Sequence, residues 1–198
     1  MDAFEEAGPE ALVRGIVLPD PVPSHPLLEG KAEIGRGEYS IVFDKGDGER
    51  VYKVVSSPAD YFLLTADDRP QGRHFPIVHV DHGVIGRAQS GYLFHLLEME
   101  KLYPLVPQSS SAALALRLAA LYWEACRQWS QLGADMGRIA LHQIATGPTE
   151  FQGSMHEALR ALDEFVEGYQ VLPDLLHADN LMMRKDGTLV FSDPVFIA

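Results

Sequence analysis

Cysteine is almost absent from the 198-residue sequence: Cys126 stands alone. One thiol cannot build an internal disulfide framework, which fits a reducing compartment. Basic residues are also scarce, 16 Lys and Arg against 28 Asp and Glu, for a formal net charge of −12. A polyanionic partner would meet net repulsion and no local basic stripe compensates, so no nucleic-acid partner is expected. Long apolar runs are missing as well. The longest candidate, SAALALRLAALYWEA, is interrupted by Arg117 and falls short of the roughly 20 residues a membrane helix needs. The N-terminus has no basic segment followed by an apolar run, so a cytoplasmic protein with no membrane partner is expected.

What is present is a 46% hydrophobic share, enough for one compact domain or two small lobes sharing a core. Residues 1–30 begin acidic and carry Pro19, Pro21, Pro23 and Pro26, which remove backbone donors and force extension, so this stretch reads as a linker or a wrapped arm. From Lys31, the runs 40–43 and 51–55 read as strands joined by the turn DKGDGE, and PIVHVDHGVIG and GYLFHLLEME as two further strands. The period then changes. Leu114, Leu118, Leu121 and Ala125 recur at helical spacing behind candidate caps at Ser109, Ser110 and Ser111, predicting a helix of about five or six turns. SMHEALRALDEFVEGY predicts a second helix, with Ser154 as cap and Glu157 completing a capping box. A loop over 173–179 and a hairpin of 181–184 and 189–191 follow. A sheet followed by segregated helices predicts the α+β class.

Three pieces carry chemistry. Gly35 and Gly37 in GRGEYSIVF lack a Cβ and would let backbone N–H groups approach phosphate oxygens, although a plain two-glycine turn has the same sequence. Lys53 lies within the strand VYKVV, where a lysine either snorkels to the wet face or serves a charged ligand. Asn180 and Asp193 flank the terminal hairpin and are hard oxygen ligands that suit Mg²⁺.

In this order, with a hinge-like LLEMEK between them and 193 − 180 = 13 residues from Asn180 to Asp193, the pieces resemble the protein-kinase-like family. The ending HADNLMMRKDGTLVFSDP is similar to that of the small Ser/Thr kinases of T7-like phages, and more loosely to aminoglycoside and fructosamine kinases. The resemblance covers residues 31–196. It implies a minimal bilobal fold, with 1–30 as arm, 31–104 as an antiparallel N-lobe and 105–198 as a truncated helical C-lobe. ATP and Mg²⁺ are the implied ligands. Gly35, Gly37 and Ser40 would cover the phosphates and Lys53 would pair with them. The backbone of Glu98, Met99 and Glu100 would meet adenine, while Asn180 and Asp193 would hold the metal. The implied reaction is Ser/Thr phosphorylation of a protein substrate of unknown identity, in the bacterial host cytosol if the chain is phage-encoded, and a homo-oligomer is compatible with it. SDP in place of the family's DFG keeps a small-molecule kinase open. So does a different class, a catalytically dead kinase-like protein that binds and inhibits a host factor.

The departures from the family pattern are specific. Five residues before Asn180, where the family places its catalytic Asp, stands Leu175. Either a one-residue bulge restores Asp174, or Asp179 takes the role, or no base exists. The segment SSPADYFLLTADDRPQGRHF contains no Glu and leaves room for about three helical turns before Pro70. The acidic partner of Lys53 is then Asp60 or Asp67, unless these only solvate a helix end. Asp193 lies five residues from the last residue, so no activation segment is expected and substrate would be held by the helical face, the arm or a partner subunit. His74, His79, His82 and His95 show no metal-ligand spacing, and His177 either orients the loop or packs. Trp123 and Trp129 read as core or interface residues and Cys126 as a small buried hydrophobe.

Overall fold

The computed structural model describes residues 22–87, 92–148, 151–177 and 180–197. The class is α+β, and the chain divides into two compact units. The first takes the described residues up to Ala66 together with Ile77–Lys101 and Ile197, and the second takes Asp67–Pro76 and Leu102–Phe196.

The first unit is a five-stranded antiparallel sheet of β1 (Glu33–Arg36), β2 (Ser40–Asp44), β3 (Arg50–Val55), β4 (Val78–Arg87) and β5 (Leu93–Glu100), in the order β1-β2-β3-β5-β4. Side chains alternate between two faces along each strand. On one face Ile41, Phe43, Tyr52, Val54, Phe94 and Leu96 form a cluster capped by Leu28, with Val22 and Leu27 against it. The described end of the proline-rich arm, 22–28, is thus a wrapped segment. Its Pro23 lies where a Cβ on Gly86 would approach within 2.8 Å, so a glycine is needed there. The other face, Val51, Val55, Leu97 and Met99, is covered by Leu64 of α1 (Pro58–Thr65), with Tyr61 packed alongside. Each fully buried aliphatic residue contributes about 1.5–3 kcal/mol of transfer free energy.

The second unit packs α2 (Ser110–Gln128), α3 (Asp135–Thr146) and α4 (Ser154–Tyr169) around Leu118, Leu141, Leu159, Leu162 and Val166, all fully buried. Short strands complete it: β6 (Leu172–Pro173) pairs with β9 (Val195–Phe196), and β7 (Leu181–Met183) with β8 (Leu189–Phe191). Ser109 caps α2, its Oγ accepting from the Ala112 N–H at 3.1 Å. The cap expected of Ser154 does not form. Gly153 occupies that position, and the Ser154 hydroxyl is engaged instead by His74 Nε2 at 3.0 Å. α3 is a third helix where the sequence suggested two. Its buried face is built of Gly137, Ala140, Leu141, Ile144 and Ala145, with few of the large residues that announce an amphipathic helix. Among the described residues, no helix is long and apolar enough to cross a membrane.

Candidate functional site

In the first unit, β1 and β2 form the glycine-rich hairpin, closed by the Gly37 N–H donating to the Ser40 carbonyl at 2.8 Å. Neither Gly35 nor Gly37 adopts a left-handed backbone, and a Cβ at either would meet nothing nearer than 3.6 Å. Local folding therefore does not require glycine at these positions, which removes the main reason for reading them as a plain turn. Ser40 is buried at the start of β2.

Lys53 is not on a wet face; it is 7% exposed. Alternation along β3 puts Val51, Lys53 and Val55 on one side, and Val51 and Val55 belong to the cluster beneath α1. Asp60 sits in the first turn of α1, is buried, and precedes Leu64 by one turn, so both lie on the stripe that covers this cluster. The other candidate, Asp67, is exposed and belongs to the second unit. Lysine and Asp60 thus share the covered face of one sheet.

Glu98, Met99 and Glu100 do not form a connecting segment. They lie within β5, paired with Tyr52, Val51 and Arg50 of β3, while Glu98 and Met99 also pair with Val80 and Val78 of β4. A backbone flanked by ladder partners is unsuited to reading adenine, which corrects that part of the expectation. The carboxylate of Glu98 is 7% exposed and receives Lys45 Nζ and Arg50 Nη1, each at 2.7 Å. Lys45 first, then Arg50, hold its carboxyl below the usual range. This cluster is structural.

In the second unit, the residues flanking the terminal hairpin converge. Asn180 Nδ2 donates to the Asp174 carbonyl at 3.0 Å, closing the loop. The Asn180 carbonyl accepts from the N–H groups of Ser192 at 2.9 Å and Asp193 at 3.4 Å. Asp174 is itself anchored, its N–H donating to the Pro194 carbonyl at 2.7 Å. Leu175, at the family position for the base, is fully buried, so the extra residue turns into the core and Asp174 remains at the loop. Asp174 Oδ1 accepts from the Leu176 N–H at 3.3 Å, and Oδ2 bonds Nδ1 of the exposed His177, which orients the carboxylate rather than packing. Asp179 lies outside the described residues.

The Nδ2 bond leaves the Asn180 side-chain carbonyl oxygen as an acceptor, and it and the Asp193 carboxylate are the hard oxygens at this hairpin that could meet a cation. No group of three or more His, Cys, Asp or Glu side chains suited to a metal occurs among the described residues. A cation here would draw most of its ligands from water and phosphate, the habit of Mg²⁺ rather than of zinc or calcium.

Two supports escaped the sequence reading. Tyr122 of α2 donates its hydroxyl to the Pro173 carbonyl at 2.8 Å, directly before Asp174, and burial pushes that phenol far above its ordinary pKa. Its oxygen lies 2.7 Å from where a Cβ on Gly137 would stand, so α3 needs glycine there. His74 is the second. Its Nδ1 meets the Leu189 carbonyl at 2.7 Å; a carbonyl only accepts, so Nδ1 carries the proton and Nε2 accepts from Ser154. A family-specific residue pattern at Tyr122 or His74 is not visible in one sequence; both act through backbone carbonyls far away in the chain.

No family model matches the chain, and none of the curated proteins compared with it matches.

Proposed function

We propose that the chain is an ATP- and Mg²⁺-dependent phosphotransferase of the protein-kinase-like class, acting on Ser or Thr hydroxyls of a protein. The observation that carries this reading is the closure of Asn180 on the Asp174 backbone, with Asp193 tied to the Asn180 carbonyl. In this reading Asp174 serves as the base and Asn180 and Asp193 as metal ligands, on a loop braced by these bonds. The buried Lys53 and the glycines that folding does not require are its counterparts in the first unit.

In the proposed reaction a substrate hydroxyl oxygen attacks the γ-phosphorus and passes its proton to Asp174, while the bond from phosphorus to the β–γ bridging oxygen breaks and its electron pair leaves with ADP. His177 holds the carboxylate for that transfer. Lys53, Gly35, Gly37 and Ser40 position the phosphates. Asn180 and Asp193 would hold Mg²⁺, which supplies neutralisation of phosphate charge. Acidic net charge favours a basic protein substrate. Transfer of label from γ-³²P-ATP to lysate proteins or to the chain itself tests the reading. Asp193→Asn and Asp174→Ala should each lower transfer by about 10²–10⁴-fold in a protein that still folds.

The engagement of Asp174 by His177 and by the Leu176 N–H also favours a second reading, in which nucleotide is bound without transfer. ATP binding with no labelled product, together with stoichiometric capture of one host protein, would decide for it.

A further inference from the structure

Within the second unit, Ser154 and His74 form a pair whose chemistry the candidate site does not use. The Ser154 hydroxyl donates to His74 Nε2 at 3.0 Å, and His74 Nδ1–H donates to the Leu189 carbonyl at 2.7 Å. A hydroxyl, a base within reach of its proton, and a third group that fixes the tautomer of the base make up the arrangement of an activated nucleophile. The surroundings fit that role. Burial first, and the cations of Arg73 and Arg184 as well, lower the His74 pKa, so at neutral pH the ring is uncharged and Nε2 can take a proton. Ser154 is half-buried, and its chain neighbours Gln152 and Gly153 are exposed, as are Gly72 and Arg73 before the histidine, which opens the hydroxyl to solvent. Ser154 is also the first residue of α4, and no side chain caps that end. The first backbone bond of the helix runs from the Glu157 N–H to the Gly153 carbonyl at 3.1 Å, so the N–H groups of Met155 and His156 have no partner within the helix. They give the helix end beside the hydroxyl a fixed partial positive charge. A bond that only tied His74 to α4 would need neither the opening to solvent nor the uncapped helix end.

We propose that Ser154 is a nucleophile toward carboxylic esters, with His74 as its base and the N-terminus of α4 as the donor set for the oxyanion. Ser154 Oγ attacks the ester carbonyl carbon while its proton passes to His74 Nε2, and the N–H groups of the first turn receive the negative charge that develops on the carbonyl oxygen. The bond from carbon to the alcohol oxygen then breaks, and the proton on Nε2 leaves with that oxygen. The product is an acyl group on Ser154; water attacks it by the same route and releases the carboxylic acid. The Leu189 carbonyl orients the ring but carries no full charge to offset the imidazolium that forms, and Arg73 and Arg184 oppose it. Acylation therefore favours esters whose alcohol is a good leaving group, and deacylation is slow. None of the residues assigned to phosphotransfer takes part.

The test leaves out ATP and Mg²⁺, so its outcome is separate from that of phosphotransfer. The full chain is incubated with a fluorophosphonate probe, in which Ser154 Oγ would displace fluoride from phosphorus. The bound probe is located by peptide mass spectrometry, and circular dichroism checks the fold of each variant. Label on Ser154 is expected, together with a burst of p-nitrophenol from p-nitrophenyl acetate that matches the amount of chain. Ser154→Ala should lose both. His74→Gln keeps a hydrogen-bonding side chain but no base, and should slow the labelling about 10²-fold or more. In the native chain the labelling rate should be full above pH 6.5 and fall as the pH drops through the folded-state value of His74, because only the neutral ring accepts the proton. Three results overturn the proposal: a folded chain that takes no label on Ser154, labelling that keeps its native rate in His74→Gln, and a burst that Ser154→Ala leaves unchanged.

Discussion

β1 and β8, one strand from each hairpin of the proposed site, are buried very unequally. β1 is largely exposed, with Ile34 at 48%, whereas Leu189, Val190 and Phe191 of β8 are each 2% exposed or less. Side chains also clamp the terminal hairpin. Arg184 donates to the carbonyls of Arg73 and Phe75, Arg73 to the Thr188 hydroxyl, Ser111 to the Gly187 carbonyl, and His74 to the Leu189 carbonyl. A metal-holding carboxylate must keep its position to be useful, while a phosphate cover must let nucleotide in and out. The proposed reading assigns the metal to the hairpin with the buried β8 and the phosphates to the hairpin with the exposed β1.

After Asp193 and Asp174, the largest effect should come from the buried floor beside the exposed hairpin. Lys53→Met keeps the stem and removes the charge, and should lower kcat by about 10²-fold or more while retaining the fold. A strand-surface lysine would have predicted near-normal activity. If Asp60 is the partner on the covered face, Asp60→Ala leaves a buried ammonium uncompensated and should cost about 3 kcal/mol by denaturant unfolding. The double variant Lys53→Met, Asp60→Leu should recover most of that stability and none of the activity. Recovery of activity as well would remove Lys53 from phosphate binding.

A smaller effect is expected at the clamped hairpin, and it depends on pH. Burial is the main cause that lowers the His74 pKa from 6.5, and the cations of Arg73 and Arg184 act in the same direction. The unfolded chain therefore takes up the proton first on acidification. The stability that neutral His74 contributes is complete above pH 6.5 and is lost as the pH falls through the folded-state value. His74→Gln should be less stable than the native chain by roughly 1–2 kcal/mol at pH 8. The gap should narrow as the pH drops below 6.5, read as the difference between two Tm profiles. A constant gap would mean that the ring acts by packing alone.

How far the sequence reveals these features depends on how far apart in the chain their causes lie. Alternation in RVYKVV is local, so the shared face of Val51, Lys53 and Val55 is legible, as are both long helices of the second unit. Whether that face is wet or covered depends on where α1 settles, which no local pattern states. The capping box at Ser154 and Glu157 is a sound local signal defeated by a distant one, since His74 claims the hydroxyl across 80 residues. α3 escapes because its packing depends on Gly137 accommodating a tyrosine from another helix. The spacing of Glu98–Glu100 suggested a hinge because apolar strand and connector look alike until a neighbour on each side is known.

The smallest expected change is in stability at the exposed hairpin, and it is the sharpest test of the contrast. A Cβ at Gly35 would come no closer than 3.8 Å to Val42, and at Gly37 no closer than 3.6 Å to Ser40 Oγ, ordinary contacts at an unstrained backbone. Gly35→Ala and Gly37→Ala should therefore shift unfolding free energy by no more than about 0.5 kcal/mol. Gly137→Ala is the control inside the second unit, where the new methyl meets the Tyr122 hydroxyl at 2.7 Å and overpacking should cost about 1–3 kcal/mol. If the glycines of the hairpin serve a ligand, the same two harmless methyls should raise the KM for ATP or lower kcat by about tenfold, because a Cβ keeps the hairpin backbone from approaching the phosphates. Unchanged stability with impaired ATP use assigns Gly35 and Gly37 to the nucleotide. Unchanged stability with unchanged kinetics would leave the exposed hairpin with no part in phosphate binding and confine the chemistry to the clamped one.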